Sequence, residues 1–170
     1  PPWMLNTADN MNAEAKTWLT TQNPLALSKG GRYRRGVTDE GKLVVIDLLE
    51  RTVEEHGLGV EGLQFRAAVG YAIQNSTGCD QPQGSHTDYS EDAVGYLRDT
   101  PHYPRSAIWA ACADFELEDG GGRVILVPRG HVICFMASFF HGGRPYMSDL
   151  PRFHCFYLPV YVHIPGGIYS

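Results

Sequence analysis

A histidine and an aspartate two positions apart, His86 and Asp88, are the residues of this sequence that most readily suggest metal chemistry. On an extended strand, residues i and i+2 point to the same face about 6 to 7 Å apart, so both side chains can reach one ion. With 7 His and 19 acidic residues among 170, about one such pair is expected by accident. A surface His and Asp in a loop is therefore the competing interpretation.

A third ligand must come from another strand, and His141 is the best candidate. It ends the apolar run 132–140 and is followed by Gly142 and Gly143, as expected at the end of a buried strand. Two His and one carboxylate on one face of an octahedral ion leave three positions open, which is the arrangement of non-haem Fe(II) oxygenases. The alternative is a core His hydrogen-bonded to a backbone carbonyl.

Arg152 begins a further strand, and the period of two places His154 on the same face. A buried guanidinium needs an anion, and its planar fork suits a carboxylate. Both side chains are expected to face the interior of the fold. The residues expected on the other face are Phe153, Cys155 and Tyr157. Alternatively, Arg152 is solvated or paired with a surface acid such as Asp149.

These residues belong to an ordered series of motifs: His86-x-Asp88, Gly120-Gly-Gly-Arg, Pro128-x-Gly130-x₄-Phe135, His141-Gly-Gly and Arg152. The series lies within residues 63–162 and resembles the 2-oxoglutarate and Fe(II)-dependent dioxygenase superfamily. The resemblance implies that His86, Asp88 and His141 bind Fe(II), and that Arg152 binds the 5-carboxylate of 2-oxoglutarate. It also implies that O₂ and 2-oxoglutarate are consumed, that succinate and CO₂ form, and that an unidentified substrate is hydroxylated, with ascorbate as an optional reductant.

Two further co-substrate contacts follow from the resemblance alone. His154 stands where many members have a Ser that contacts the same carboxylate, and Tyr71 lies on the first core strand, where members often place a hydroxyl. An ordinary core aromatic is the alternative for Tyr71. The branch stays open between prolyl-hydroxylase-like, phytanoyl-CoA-hydroxylase-like and nucleobase-oxidase-like members. Prolyl hydroxylases usually have Lys in place of Arg152, and AlkB-type demethylases have Arg in place of Leu158.

Two functions outside this chemistry also remain open: a cupin-type metal dioxygenase without 2-oxoglutarate, and a catalytically silent β-helix that serves binding. The primary substrate is a protein, a small molecule or a nucleobase. A net charge of −5 and a pI near 5.8 disfavour nucleic acid as a partner of the whole molecule. The basic segment 29–42, interpreted as a loop from Ser28 to Gly36, could still grip phosphate, although a solvated loop is the simpler interpretation.

The elements that must position these residues are mainly β. With 19 Gly and 11 Pro in 170 residues, short strands and tight turns are expected, in a double-stranded β-helix, that is, a cupin-like jelly roll with helices packed on one face. We expect a single domain, 1–170, with a helical support region at 1–60 and the catalytic core at 61–165. Helices are predicted at Ala13–Thr20 and Leu43–His56. Strands are predicted at Leu63–Ile73, Ala107–Leu117, Arg123–Val127, Val132–Ser138 and Arg152–Leu158.

The remaining features concern the environment of the protein. No C-x-x-C spacing links the four cysteines, Cys79, Cys112, Cys134 and Cys155, so they are expected to be reduced and buried. No apolar run is long enough to span a membrane, and no signal peptide is visible, although the chain opens with Pro1 rather than Met. An intracellular location is favoured.

Overall fold

A computed structural model describes residues 2–21, 26–28, 32–36, 39–73, 81–98, 105–146 and 150–159. The helices are α1 Asp9–Thr21, α2 Asp39–Glu55 and α3 Glu91–Arg98. The strands are β1 Trp3–Asn6, β2 Ala26–Ser28, β3 Arg32–Gly36, β4 Leu63–Ile73, β5 Ser106–Trp109, β6 Phe115–Asp119, β7 Val124–Val127, β8 His131–Phe135, β9 His141–Gly143 and β10 Leu150–Pro159.

The strands form two antiparallel sheets. The larger has the order β1-β8-β5-β10-β4-β3-β2 and the smaller the order β7-β6-β9. Two sheets that enclose an apolar interior, with helices against the larger one, are the architecture of a double-stranded β-helix. The predicted fold class is therefore confirmed.

Successive side chains of strand β10 point to opposite faces of the larger sheet and so contribute to two separate core clusters. Phe153, Cys155 and Tyr157 are buried in a cluster with Val45 and Leu48 of α2, on the helix side of the larger sheet. Leu150 lies in a second cluster, between the sheets, with Phe115, Leu117, Ile133 and Phe135. Arg152 and His154 share the parity of Leu150, so they lie on the inner side, as predicted.

Helix α2 follows the sequence signals closely. The four residues predicted on its apolar face are all buried: Val45, Leu48, Leu49 and Val53. Gly57 ends the helix at a φ of +68°, where its amide donates to Glu54 and that of Leu58 donates to Val53, both at 2.9 Å. These bonds form a Schellman motif. The carbonyls at the end of α2 are thereby satisfied, and Leu58 packs against the helix-side core.

The expectation of a loop over Ser28–Gly36 was wrong. Ser28 ends β2, and Arg32–Gly36 forms β3, which pairs with β2 and with the edge of β4 through Arg35↔Gly70. Ladder hydrogen bonds join backbones, so a strand such as β3, which lies between β4 and the edge strand β2, can form without alternating apolar side chains. The basic segment 29–42 is therefore not one loop, since β3 and the start of α2 both lie in it. The support region at 1–60 also contains strands, with β1 paired to β8.

Two other expectations were corrected. The strand predicted at Ala107–Leu117 is two strands, β5 and β6, which lie in different sheets. A continuous apolar run carries no sign of where the chain crosses from one sheet to the other. Helices were predicted only before residue 60, whereas α3 lies at Glu91–Arg98, and the amide of Ala93 near its start donates to Ser90 Oγ at 3.3 Å. A Ser followed by Glu91 and Asp92 is an N-cap signal that the sequence analysis missed.

The cysteines follow the expectation of burial in part. Cys134 and Cys155 are buried free thiols and Cys112 is half-buried, whereas Cys79 lies outside the described residues. Within the described ranges, no helix has the length and apolar character that crossing a membrane requires.

Candidate metal centre

His86 and His141 are joined by an isolated antiparallel bridge. Each amide donates to the other residue's carbonyl at 2.9 Å, and the ring centroids lie 4.9 Å apart. His141 belongs to β9, whose far side pairs with β6. The segment that carries His86 is thus attached to the edge of the smaller sheet, beside β9.

Gly142 permits this attachment. A Cβ at this position would lie 2.5 Å from the carbonyl oxygen of Gln83, which is closer than nonbonded atoms approach. The amide of Gln83 in turn donates to the carbonyl of Gly143 at 2.8 Å. The Gly that follows His141 therefore allows the two ligand-bearing segments to lie side by side.

Both imidazoles are oriented by their Nδ1 atoms. His86 Nδ1 lies 2.9 Å from the carbonyl of Gly84, and His141 Nδ1 lies 3.2 Å from that of Phe139. A carbonyl accepts only, so Nδ1 carries the proton in each ring and Nε2 presents its lone pair. This arrangement prepares Nε2 for a metal, because an outer hydrogen bond fixes the tautomer of a metal-binding His.

The third donor is the carboxylate of Asp88. Its Oδ1 lies 3.7 Å from His141 Nε2, and its Oδ2 lies 2.9 Å from His154 Nε2. Burial alone would raise the pKa of Asp88, but His154, His141 and the Ser106 hydroxyl outweigh that effect and hold the pKa well below its usual 3.8. The group is therefore a carboxylate at neutral pH.

His141 is neutral at the same pH. Burial lowers the pKa of His141 from 6.5 to about 4, although Asp88 and the carbonyl of Phe139 act in the opposite direction. Aromatic rings pack around it, with Phe135 at 4.7 Å and Phe139 stacked at 5.6 Å between centroids. A neutral imidazole beside a charged carboxylate is the protonation state that a metal requires.

The structure brings the three predicted ligands together. One ligand atom from each of His86, Asp88 and His141 lies within 4.8 Å of the others. Two imidazole nitrogens and one carboxylate oxygen form the donor set that non-haem Fe(II) centres use. These residues therefore fit Fe(II), and metal binding itself stays a prediction.

The predicted co-substrate residues lie on β10 and β4. Arg152 is half-buried, and its Cζ lies 5.0 Å from the centroid of Phe115, a distance at which a guanidinium is attracted to an aromatic face. Tyr71 pairs with Arg152 in backbone register, and its side chain lies outside the described part. His154 contacts Asp88, so its predicted contact with a carboxylate of 2-oxoglutarate stays a prediction.

Two residues of this centre escaped the sequence analysis. Gln83 Nε2 lies 3.3 Å from His86 Nε2, and the amide of Gly143 donates to Gln83 Oε1 at 3.4 Å. Tyr89 is fully buried beside Asp88 and donates its hydroxyl to the carbonyl of Arg105. Its position directly after the His-x-Asp motif was the available signal, whereas Gln83 carried none.

Comparisons with known proteins agree with this geometry at the level of the fold. No family model and no curated protein matches the sequence. HygX from Streptomyces hygroscopicus, solved with nickel and 2-oxoglutarate bound, is similar over 99% of this chain and 91% of its own, with a TM-score of 0.72 and 12% identity. The viral collagen prolyl hydroxylase of Paramecium bursaria Chlorella virus-1, solved as a 2-oxoglutarate complex, is similar over 94% and 96%, with a TM-score of 0.63 and 12% identity.

A third structure, an oxidoreductase of the 2OG-Fe(II) oxygenase family from Burkholderia pseudomallei, is similar over 92% of this chain and 84% of its own. The TM-score is 0.64 and the identity 14%. At such low identity, the three similarities show a shared fold. That fold is the double-stranded β-helix that the composition and the short strands predicted.

Proposed function

We propose that this protein is a non-haem oxygenase that uses Fe(II), O₂ and 2-oxoglutarate to hydroxylate a substrate, with release of succinate and CO₂. The observation that carries the proposal is the grouping, on this fold, of one ligand atom from each of His86, Asp88 and His141 within 4.8 Å of the others. When bound, Fe(II) would activate O₂, and this activation would be coupled to the decarboxylation of 2-oxoglutarate. The protein supplies the positions of the three ligands, the negative charge of Asp88 and the aromatic side chains around His141.

The three ligands leave half of an octahedral ion open. A 2-oxo acid would bind such an ion through its 1-carboxylate and keto oxygen and leave room for O₂. The backbone pairing of His86 with His141 holds two of the protein's ligands side by side. Arg152 favours a 2-oxo acid over a cupin-type reaction in which the substrate alone binds the metal, because its guanidinium would then need a different anion.

Arg152 is the residue we assign to the distal carboxylate of 2-oxoglutarate. It lies on the inner face of β10, two residues from His154, and therefore about 7 Å along the strand from the side chain that contacts the metal-binding Asp88. Its guanidinium carries a permanent charge and a flat fork of donors. The packing against Phe115 restricts its direction.

The surroundings of His141 favour a reaction that must be kept from water. Phe135, Phe139 and Phe156 lie close to the imidazoles of His141 and His154. Apolar walls strengthen the electrostatic contacts within a site and keep reactive species from solvent.

The substrate class is open, and the fold alone does not decide it. HygX was solved with hygromycin B, and a prolyl hydroxylase from Trichoplax adhaerens with a peptide fragment of hypoxia inducible factor. Loops around a conserved barrel change specificity most readily. We propose a small molecule or a protein as the substrate ahead of a nucleobase, because the net charge is −5.

Succinate formation tests the proposal. Purified protein with Fe(II), ascorbate, O₂ and 2-oxoglutarate should release succinate, and candidate metabolite, peptide and nucleic-acid pools should be compared for their acceleration of that release. His86→Ala, Asp88→Ala and His141→Ala should abolish it. His56→Ala, a change at an exposed His near the end of α2, is the matched control and should retain it. A wild-type protein that binds neither Fe(II) nor Mn(II) and forms no succinate would contradict the proposal.

A further inference from the structure

We propose that His154 is a positioning residue that makes Asp88 a single-oxygen ligand. In this arrangement His154 Nε2 holds Oδ2 of the carboxylate, so that only Oδ1 is presented to the metal. The inference rests on the proposed function, and it assigns to His154 a role different from contact with the co-substrate.

The two oxygens of Asp88 have different neighbours. Oδ2 accepts a hydrogen bond from His154 Nε2 at 2.9 Å, whereas Oδ1 lies 3.7 Å from Nε2 of the metal-binding His141. A hydrogen bond from an imidazole to a charged carboxylate is one of the stronger polar contacts in proteins. His154 therefore holds Oδ2 of the carboxylate, whereas Oδ1 faces the other two candidate ligands.

The ring of His154 is held firmly enough to impose this orientation. It is 8% exposed and lies on β10 between β4 and β5, where its backbone is paired with Val69 on one side and Ile108 on the other. Phe156 packs on the ring at 4.9 Å and Phe135 lies at 6.5 Å. A side chain in the middle of a seven-stranded sheet has little freedom to follow a moving partner.

The number of open metal positions depends on this orientation. A carboxylate that binds through both oxygens takes two positions, which would leave only two for a chelating 2-oxo acid and O₂ together. With Oδ2 bonded to His154, Asp88 takes one position and three remain. His154 would thus keep a third position of a bound metal open, through its bond to Oδ2 of Asp88 alone.

The test compares two substitutions that differ in their ability to donate. His154→Leu removes the donor and keeps an apolar side chain, whereas His154→Gln can place an amide N–H where Nε2 stands. Cys155→Ala is the control for lost packing, because Cys155 is also buried on β10 but faces the helices. Each variant is titrated with Co(II), which resists oxidation by air, and the visible spectrum of the bound ion reports its coordination.

We expect His154→Leu to weaken Co(II) binding about 10-fold to 100-fold and to change the Co(II) spectrum. His154→Gln should restore both properties, and Cys155→Ala should leave both unchanged. Unchanged affinity and spectrum in His154→Leu would overturn the proposal, as would a failure of His154→Gln to restore them. If His154→Leu does not fold, His154→Asn replaces it, since the shorter amide cannot reach Asp88.

The same titration separates this proposal from the proposed function. Absence of Co(II) binding in wild-type protein would overturn the proposed function, and the assignment of His154 with it. Wild-type binding with an unchanged His154→Leu would overturn only the role of His154.

Discussion

His86 and His141 are joined to each other through their backbones, with two hydrogen bonds of 2.9 Å between the residues that carry the candidate metal-ligand imidazoles. The separation of the two rings is therefore set in part by a rung of sheet, that is, by the paired backbones of the two residues.

Gly142→Ala should break this rung. The new Cβ would meet the carbonyl oxygen of Gln83 at 2.5 Å, and a backbone neighbour cannot swing away. We expect a loss of about 1 to 3 kcal/mol in the free energy of unfolding and weaker Mn(II) binding, both measured on purified protein by denaturant titration and calorimetry. Gly95→Ala, at an exposed position of α3, is the control, because nothing lies within 4 Å of a Cβ there; equal effects of the two substitutions would show that crowding at Gly142 is not the cause.

Metal loading should stabilise the folded chain. An ion that binds only the native state at a concentration of 100 times its Kd adds about 2.7 kcal/mol, which raises Tm by several degrees in a protein of this size. Differential scanning fluorimetry with Mn(II) should show the rise in wild-type protein and in His56→Ala. It should be absent from His86→Ala and His141→Ala, and a rise of the same size in these variants would place the ion elsewhere.

Acid should destabilise the metal-free protein through His141. In the folded state the pKa of His141 is about 4 rather than 6.5, so below pH 6.5 the unfolded chain takes up a proton that the folded chain does not. Stability should therefore fall as the pH falls from 6.5 to 4, by about 3 kcal/mol from this group. Asp88, whose pKa is lowered from 3.8, adds a further loss in more acidic solution.

Denaturant unfolding in the presence of EDTA at pH 7.5 and pH 4.5 measures this effect. His141→Gln places a neutral amide in the same region, so its stability should change less between the two pH values than that of wild-type protein. Parallel changes in the two proteins would assign the acid sensitivity to other groups.

Arg152→Leu should weaken 2-oxoglutarate binding by the metal-loaded protein. A hydrogen bond to a charged group contributes about 1.5 to 3 kcal/mol, which corresponds to a loss of affinity of about 10-fold to 100-fold. Arg152→Lys should lose less, because it keeps the charge but not the planar fork. Calorimetric titration of the Co(II)-loaded proteins measures both, with Co(II) affinity itself as the internal control; an unchanged 2-oxoglutarate affinity would contradict the assignment.

The sequence predicted the parts of this site that depend on the direction of a single strand. The period of two is enough to place Arg152 and His154 on the face between the two sheets, and Phe153 and Cys155 on the opposite face, which packs against the helices. The structure has this arrangement. The same holds for α2, whose buried face and terminal Gly57 were both visible as patterns.

The contacts between segments that are distant in the sequence could not be predicted from such local patterns. The rung between His86 and His141 and the bond between Asp88 and His154 join residues 55 and 66 positions apart, and no local pattern encodes such a register. Strand β3 was missed for another reason, because its residues, Arg32–Gly36, lack the alternation of apolar and polar side chains that indicates a strand.

The alternation of side chains along β8 and β10 also places two cysteines on the helix side of the larger sheet, away from the candidate metal centre. Cys134 and Cys155 lie on either side of Ala107 in the larger sheet and belong to the cluster on its helix side. Burial raises the pKa of Cys134 to about 12, and burial likewise raises that of Cys155, so both remain unreactive thiols. If the protein has the proposed oxygenase activity, turnover without substrate would put oxidisable sulfur atoms at risk. Strand β10 turns His154 towards the candidate metal centre and Cys155 towards the helices, so the larger sheet would separate the oxidant from these two thiols.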